Sequence, residues 1–157
     1  MSSLPGAQGN KFDFMVGEWQ IKNRRKRGDA WVEFSSVNMG QRFLDGYTIV
    51  DTYDAVLGDG SNFKGMTIRA YDKQADNWKI VWLDERNPPD FEPLVGKFDP
   101  EGVGRFHADM VHPDGSVTKV RFVWDQISKT TARWQQFFSR DGGQTWDLDW
   151  VMEFSRE

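Results

Sequence analysis

Cysteine is absent from this sequence of 157 residues, and histidine occurs only twice. The lack of thiols excludes disulfide scaffolds, cysteine nucleophiles and cysteine-ligated zinc. The two histidines have no metal-ligating spacing, and no glycine loop of the kind that cradles phosphate is present. We therefore expect neither a metal site nor a cofactor.

Long apolar runs are also missing, since no stretch approaches the ~18 residues of a membrane-spanning helix. The segment before Glu18 lacks the basic start and apolar core of a signal peptide. A net charge of −4 and an isoelectric point near 5.2 disfavour a protein that grips nucleic acid or an anionic membrane. We expect a cytoplasmic protein whose partners are neither nucleic acid nor membrane.

Alanine and leucine, the apolar residues that favour helices, number only 7 and 6. Valine, isoleucine, threonine and the aromatic residues, which favour strands, total 48. The composition therefore predicts an all-β protein. Because an independent domain usually needs about 100–150 residues, we expect a single domain over residues 1–157.

Segments of alternating apolar and polar residues recur every ~10–15 residues between turn formers, a pattern typical of antiparallel strands. The short connections leave no space for parallel crossovers, so an up-and-down order follows. The predicted strands are Glu18–Lys26, Trp31–Phe43, Tyr47–Val56, Phe63–Tyr71, Trp78–Asp84, Glu92–Phe98, Val103–Met110, Val117–Trp124, Thr131–Ser139 and Thr145–Phe154.

About ten antiparallel strands in one domain have two exposed edges unless the sheet closes, and closure into a barrel removes them. A barrel of this strand number has an interior wide enough for a small ligand. Residues 1–16 carry the apolar side chains Phe12, Phe14, Met15 and Val16, so we expect them to plug one end. The fold itself thus indicates a binding function.

Gly17-Glu18-Trp19 resembles the Gly-x-Trp signature at the start of lipocalins and related calycins. In those proteins the tryptophan closes the barrel floor against a basic residue from the end of the last strand, which implies Arg156 here. Nearly the whole chain resembles a family of small bacterial proteins of unknown function with a calycin-like, lipocalin-like barrel. The residues that carry this resemblance are Phe12 to Trp19, Tyr71-Asp72 with Trp78 to Asp84, Ala132 to Gln136, and Trp150 to Phe154.

The resemblance implies the fold and no particular reaction. The chain lacks the C-terminal Arg-x-Tyr of fatty-acid-binding proteins and any clear match to the haem-binding motifs of nitrobindins. A second motif, Ser139 to Trp146, matches the Asp-box pattern S-x-D-x-G-x-T-W of sialidase propellers. One copy in so short a chain predicts a hairpin turn rather than a glycosidase.

Side chains alternate across a strand, so an inward Trp19 places Ile21 and Asn23 inside as well. The basic run from Arg24 to Arg27 is interpreted as a solvated strand end. The faces of strands 63–71, 103–110 and 117–124 stay open. The other predicted inward sets are Trp78, Ile80, Trp82 and Asp84; Ala132, Trp134, Gln136 and Phe138; and Trp146, Leu148, Trp150, Met152 and Phe154.

Polar residues on these aromatic faces indicate a binding site, because a buried charge persists only when it is paired or useful. Flat aromatic walls suit a planar or hydrophobic ligand. We therefore predict that the barrel binds a small hydrophobic or aromatic molecule. The predicted ligand-binding residues are Trp19, Arg69, Trp82, Asp84, Arg121, Trp134, Gln136 and Trp150.

Two alternatives stay open. In the first, the same cavity performs cofactor-independent acid–base chemistry as an isomerase, lyase or hydrolase, with Asp84 or the pair His107 and Asp109 moving the proton. The face opposite His107 is the more apolar one, so a solvent-facing polar row is the other interpretation of that pair. In the second, the barrel is filled by its own side chains and serves as an interaction module. A homodimer is a further partnership that the sequence leaves open.

Overall fold

The computed structural model of the protein describes residue 4 and residues 6–157, so part of the predicted plug lies outside the described residues. No helix in this described part is long and apolar enough to cross a membrane. Two short 3₁₀ turns span Asp13–Met15 and Leu44–Gly46. The strands are β1 (Gly17–Arg27), β2 (Ala30–Phe43), β3 (Thr48–Val56), β4 (Asn62–Asp72), β5 (Asn77–Asp84), β6 (Leu94–Phe98), β7 (Gly104–Val111), β8 (Val117–Asp125), β9 (Thr131–Ser139) and β10 (Asp147–Ser155).

Every strand pairs antiparallel with the next strand along the chain, and β1 also pairs with β10. The closing ladder runs from Gln20 opposite Ser155 to Arg25 opposite Trp150. The predicted antiparallel up-and-down barrel of about ten strands is therefore confirmed. Closure joins the two outermost strands, but the short β6 pairs only as far as Ile80 of β5 and His107 of β7. Within the described residues, the C-terminal parts of β5 and β7 therefore lack a ladder partner on the β6 side.

The two ends of the barrel differ. The chain enters β1 at the end that we call the plug end, and the connections after β2, β4, β6 and β8 lie there, because the strands alternate in direction. The connections after β1, β3, β5, β7 and β9 form the opposite end, which we call the mouth. The longest of them spans residues 85–93, where Pro88 and Pro89 cannot donate to a ladder.

Phe12 fills the plug end of the interior and is fully buried. Its ring lies edge-on to the rings of Trp78 and Phe98, with centroids 5.2 Å and 5.1 Å away. Phe106 packs against it at 5.5 Å. Residues 6–16 therefore close this end of the barrel as an apolar plug.

Gln8 joins the plug to the sheet through hydrogen bonds to buried polar groups of β5 and β6. Its side-chain Nε2 donates to the carbonyl oxygen of Phe98 at 2.8 Å, and the backbone N–H of Phe98 donates to its Oε1 at 2.7 Å. Trp78 Nε1 donates to the Gln8 carbonyl oxygen at 2.7 Å. Buried polar groups are thus satisfied where chain and sheet meet.

Trp19 lies at the floor of the barrel, as the resemblance implied. The guanidinium of Arg156 stacks over its ring at 3.8 Å and donates to the carbonyl oxygens of Val16 and Lys129 at 2.7 Å and 2.9 Å. The indole Nε1 of Trp19 donates to the carbonyl oxygen of Phe14 at 3.1 Å. The basic residue at the end of the last strand therefore fastens the first strand and the plug together.

The alternation of buried and exposed residues settles the strand faces. Trp19, Ile21 and Asn23 are buried on the inner face of β1, as predicted. For the strands whose faces stayed open, the buried inner residues are Thr67, Arg69 and Tyr71 in β4, Phe106 in β7, and Val120 and Trp124 in β8.

The last strand differs from its prediction. The pairing of β10 with β9 shifts register between Leu148 and Trp150, so the expected single row of inward residues is interrupted. Trp146 precedes the strand and packs against Arg121, an outward residue of β8. Trp146 and Leu148 therefore do not continue the inward row that Trp150, Met152 and Phe154 form.

The segment from Ser139 to Trp146 is a tied hairpin, as its motif predicts. Asp141 Oδ1 accepts hydrogen bonds from the Ser139 hydroxyl at 2.8 Å and from the backbone N–H of Thr145 at 2.9 Å. The Ser139 hydroxyl oxygen accepts from the N–H of Gly143 at 2.9 Å. Hydrogen bonds from Thr145 and Ser139 lower the pKa of Asp141 to about 2.

A buried ion pair lies in the middle of the core. Arg69 Nη1 contacts Asp51 Oδ1, and both side chains are almost inaccessible to solvent. The guanidinium also lies 5.0 Å from the ring centroid of Phe12 and 5.7 Å from that of Trp124. Burial lowers the pKa of Arg69 to about 9, so the guanidinium stays charged at neutral pH and Asp51 is its counter-ion.

Removal of one partner leaves an uncompensated charge in the core. We expect Asp51→Ala to lower the free energy of unfolding by about 3–5 kcal/mol, whereas the double variant Asp51→Leu/Arg69→Met keeps most of the stability. Urea denaturation followed by tryptophan fluorescence checks both. Asp54→Ala, which removes an exposed carboxylate from the same strand, is the control and leaves the midpoint unchanged. Equal effects of Asp51→Ala and Asp54→Ala would contradict the expectation.

Candidate functional site

Aromatic rings line the mouth half of the interior and touch one another in a chain. Tyr53 lies edge-on to Trp82 at 5.6 Å and to Trp150 at 6.2 Å between centroids. Trp134 continues the chain at 5.4 Å from Trp150. We call the whole set the mouth cluster; its members are Phe34, Tyr53, Phe63, Trp82, Phe122, Trp134 and Trp150.

The mouth cluster is less sealed than the plug half. Phe12, Trp19 and Trp78 at the plug end have no accessible surface. In contrast, Phe34 and Trp82 keep part of their surface open to solvent. A molecule that reaches the mouth therefore meets aromatic surface without displacing the plug.

Asn23 is the polar centre beneath the cluster. Its Oδ1 accepts hydrogen bonds from the hydroxyl of Tyr53 at 2.8 Å and from Trp150 Nε1 at 3.1 Å, and its Nδ2 donates to Ser36 Oγ at 2.8 Å. These bonds hold two aromatic rings of the wall in fixed orientations. Burial raises the pKa of Tyr53 to about 12, so its hydroxyl stays protonated at neutral pH.

Asp84 lies beside Trp82, as predicted, and the structure shows what it binds. Its Oδ2 accepts from Trp82 Nε1 at 2.7 Å, and its Oδ1 accepts from the backbone N–H groups of Arg86 and Asn87 at 2.8 Å and 2.9 Å. Burial works to raise its pKa, but hydrogen bonds from Asn87 and Trp82 outweigh it and the pKa is lowered. The carboxylate therefore anchors the loop after β5 and is a weak base.

The indole of Trp82 lies against the backbone of Gly65. A Cβ atom at position 65 would lie within 2.0 Å of that ring, so only glycine permits this arrangement. A surface concavity of about 220 Å³ opens beside these residues, between Lys64 and Glu85. A second, of about 430 Å³, lies on the wall of β1, β2 and β10 near Lys22, Glu33 and Glu153.

Gln136 faces the interior as predicted and donates from Nε2 to Asp149 Oδ2 at 3.0 Å. Asp149 occupies the register shift in β10, which carries its side chain to the inner side of the wall. No sequence pattern marked Asp149 as a site residue, because a bulge of this kind has no reliable sequence signature.

Arg25 is an inner-wall residue that the sequence interpretation assigned to solvent. Its guanidinium lies 4.1 Å above the ring centroid of Trp150, a buried member of the mouth cluster. The signal was present, because position 25 follows Trp19, Ile21 and Asn23 in the same alternation. The basic run around it obscured that signal.

Three predicted binding residues lie away from the mouth. Trp19 forms the floor with Arg156, and Arg69 pairs with Asp51 in the core. Arg121 is on the outer wall, because Val120 and its alternating partners take the inner face of β8. Its guanidinium lies 4.2 Å from Trp146 and 5.1 Å from Phe137, which corrects the expected interior position.

His107 and Asp109 also lie on the outer wall, where Asp109 pairs with Lys119 at 3.1 Å rather than orienting the imidazole. Burial and then the positive charges of Arg121, Lys119 and Arg105 lower the pKa of His107. The structure therefore does not bring these two residues to Asp84. No group of three acidic or histidine side chains suited to a metal ion occurs in the described part of the chain.

The raised pKa of Tyr53 predicts a specific pH dependence. Since the unfolded chain loses this proton near pH 10 and the folded protein near pH 12, stability falls as the pH rises between these values. Between pH 9 and pH 11 we expect the free energy of unfolding to fall by about 1 kcal/mol less in Tyr53→Phe than in the wild type. Urea unfolding at both pH values measures it. Parallel losses in the wild type and Tyr53→Phe would contradict the expectation.

Two solved structures illustrate the fold. The S-type phycobiliprotein lyase CPES from Guillardia theta is 12% identical with a TM-score of 0.62, over 93% of this chain and 90% of that one. The M. tuberculosis protein Rv2717c is 11% identical with a TM-score of 0.62, over 92% and 93%. At these identities the likeness shows the fold alone. No curated protein matches the chain.

The match that covers almost the whole barrel is to a family without an assigned activity. It spans residues 5–156, from the plug to the end of β10, and so includes every residue of the mouth cluster. The chain belongs to the DUF1579 family of proteins of unknown function.

Proposed function

We propose that the protein binds a small, planar hydrophobic or aromatic molecule at the mouth cluster. The observation that carries this proposal is the contrast between the two halves of the barrel. Phe12, Trp19 and Trp78 at the plug end have no accessible surface, although Phe14 and Tyr47 at that end are partly exposed. At the mouth, Phe34, Trp82 and Phe122 line the interior and stay partly open. Partly open aromatic surface inside a concave wall is typical of ligand sites.

The mouth offers polar groups that can orient a ligand in addition to the apolar surface of its rings. Asn23 and Gln136 are hydrogen-bonded side chains among the rings, and Arg25 lies over Trp150. A few placed polar groups in an otherwise apolar wall give a ligand its direction. The likeness to a phycobiliprotein lyase is one of fold and adds no substrate to this proposal.

Binding accounts for the site better than acid–base catalysis does. Asp84 is held by the loop after β5 and has a lowered pKa, and His107 lies outside the barrel. A general base needs a free oxygen or nitrogen within reach of the substrate. A proton-transfer role for Asp84, His107 or Asp109 therefore has no geometric support in the interior, and simple binding requires no cofactor.

The homodimer stays an open possibility, and the cytoplasmic location stays a prediction. Light scattering coupled to size-exclusion chromatography checks the first, because the monomer mass is 18.2 kDa.

A neutral planar dye tests the proposed site. We expect 6-propionyl-2-dimethylaminonaphthalene to bind with a blue-shifted emission, and Trp82→Ala to weaken its affinity about tenfold, because aromatic contact area is lost. Trp31→Ala, which removes a partly exposed tryptophan from the outer wall, is the control and leaves the affinity unchanged. Far-UV circular dichroism verifies the fold of each variant.

Native mass spectrometry of the gently purified protein provides an independent measurement. A co-purifying mass that is lost on denaturation, and whose removal changes tryptophan emission, agrees with the proposal. No blue shift of the dye, or equal affinities of the wild type and Trp82→Ala, would instead favour a barrel filled by its own side chains.

A further inference from the structure

Arg25 faces the interior of the mouth without a partner for its charge. It stacks on Trp150, a ring whose Nε1 is bonded to the buried Asn23, so its guanidinium is inside the wall. Within the described part of the chain it forms no ion pair and donates no hydrogen bond, and its Nε atom is shielded from solvent. The N–H donors of this half-buried guanidinium therefore have no acceptor within the described protein.

Other inward arginines are paired. Arg69 contacts Asp51 in the core, and Arg42 at the plug end donates to Asp13 at 3.0 Å. The pairing of these two shows how the fold treats an inward cation whose role is structural. Arg25 lacks such a partner, and it lies at the mouth, which no plug segment covers among the described residues.

The acidic groups nearest to Arg25 are engaged elsewhere. Asp149 accepts from Gln136, and Asp84 accepts from Trp82 and the loop after β5. Burial and the charge of Arg27 lower the pKa of Arg25, while Asp149, Tyr53 and Asp84 raise it. These carboxylates act on the guanidinium through space and do not occupy its donors.

We infer that the ligand of the mouth cluster is a planar aromatic carboxylate whose carboxylate binds Arg25 and whose ring lies against Trp150 and Trp82. The inference rests on the proposed binding function and names its ligand class. A guanidinium presents a planar fork of N–H donors that matches a carboxylate. A phosphate dianion fits less well, since one cation flanked by Asp84 and Asp149 would leave its second charge unbalanced.

Three probes with one ring system and different charge test the inference: 2-naphthoate, 2-naphthylmethanol and 2-naphthylmethylammonium. Isothermal titration calorimetry gives their affinities. We expect the wild type to bind the naphthoate about 10- to 100-fold more tightly than the alcohol, as befits a charge-assisted hydrogen bond in a half-buried site, and the ammonium most weakly.

Arg25→Gln removes the charge, so we expect the naphthoate to bind no more tightly than the alcohol while the alcohol keeps its affinity. Arg25→Lys keeps the charge without the fork and retains part of the preference. The matched control is Arg24→Gln, which removes the neighbouring charge from the outer face of the same strand, where Arg24 stacks on Trp31. It leaves the preference intact.

The outcomes separate this inference from the proposed function. Equal affinities for the naphthoate and the alcohol, with both weakened by Trp82→Ala, would overturn the carboxylate and leave the binding site. A preference lost in Arg121→Gln and kept in Arg25→Gln would also overturn it, because that guanidinium lies on the outer wall. If none of the three probes binds, both the inference and the binding function fail.

Discussion

Pairing of β1 with β10 is the constraint on which the rest of the structure depends. Once the sheet closes, every strand has one face that must fill a common interior and one that meets water. The inward side chains of the ten strands do not by themselves close both ends of the barrel. Residues 6–16 fill one end with Phe12, and Arg156 at the far end of the chain holds that plug and Trp19 in place. The mouth has no equivalent segment among the described residues.

Buried polar groups are paired to different degrees along the barrel. At the plug end, Gln8 satisfies backbone groups of β6, and in the core Arg69 has Asp51 as its counter-ion. At the mouth, Asn23 is fully bonded, yet Arg25 above it is not. Native proteins pair nearly all buried polar atoms, and Arg25 Nε shares its lack of an acceptor with Arg69 Nε in the core and Asp13 Oδ1 at the plug end. Arg25 differs from Arg69 because no carboxylate contacts its guanidinium in the described part of the chain.

The sequence predicted the barrel because period-two patterning and short turns are local signals. The inward row of β1 followed from the alternation of side chains once Trp19 was placed inside, whereas the roles of Trp19 and Arg156 followed from the resemblance carried by the Gly-x-Trp motif. The faces of β7 and β8 did not, because apolar side chains occur on both sides of those strands and only pairing in three dimensions decides between them. Asp84 shows a second limit, since its loop partners Arg86 and Asn87 are visible only in the folded chain.

An unpaired arginine is tolerated at the mouth for a physical reason. Full burial of a lone charge costs several kcal/mol, but Arg25 is only half-buried, and contact with the face of Trp150 returns about 0.5–1 kcal/mol or more. The same stacking fixes the direction of the guanidinium before any ligand arrives, which reduces the entropy lost on binding. Stability from the plug half therefore permits a mouth whose polar groups are not all paired. The register shift that turns Asp149 inward places a negative charge near Arg25, which acts against the lowering of the Arg25 pKa by burial.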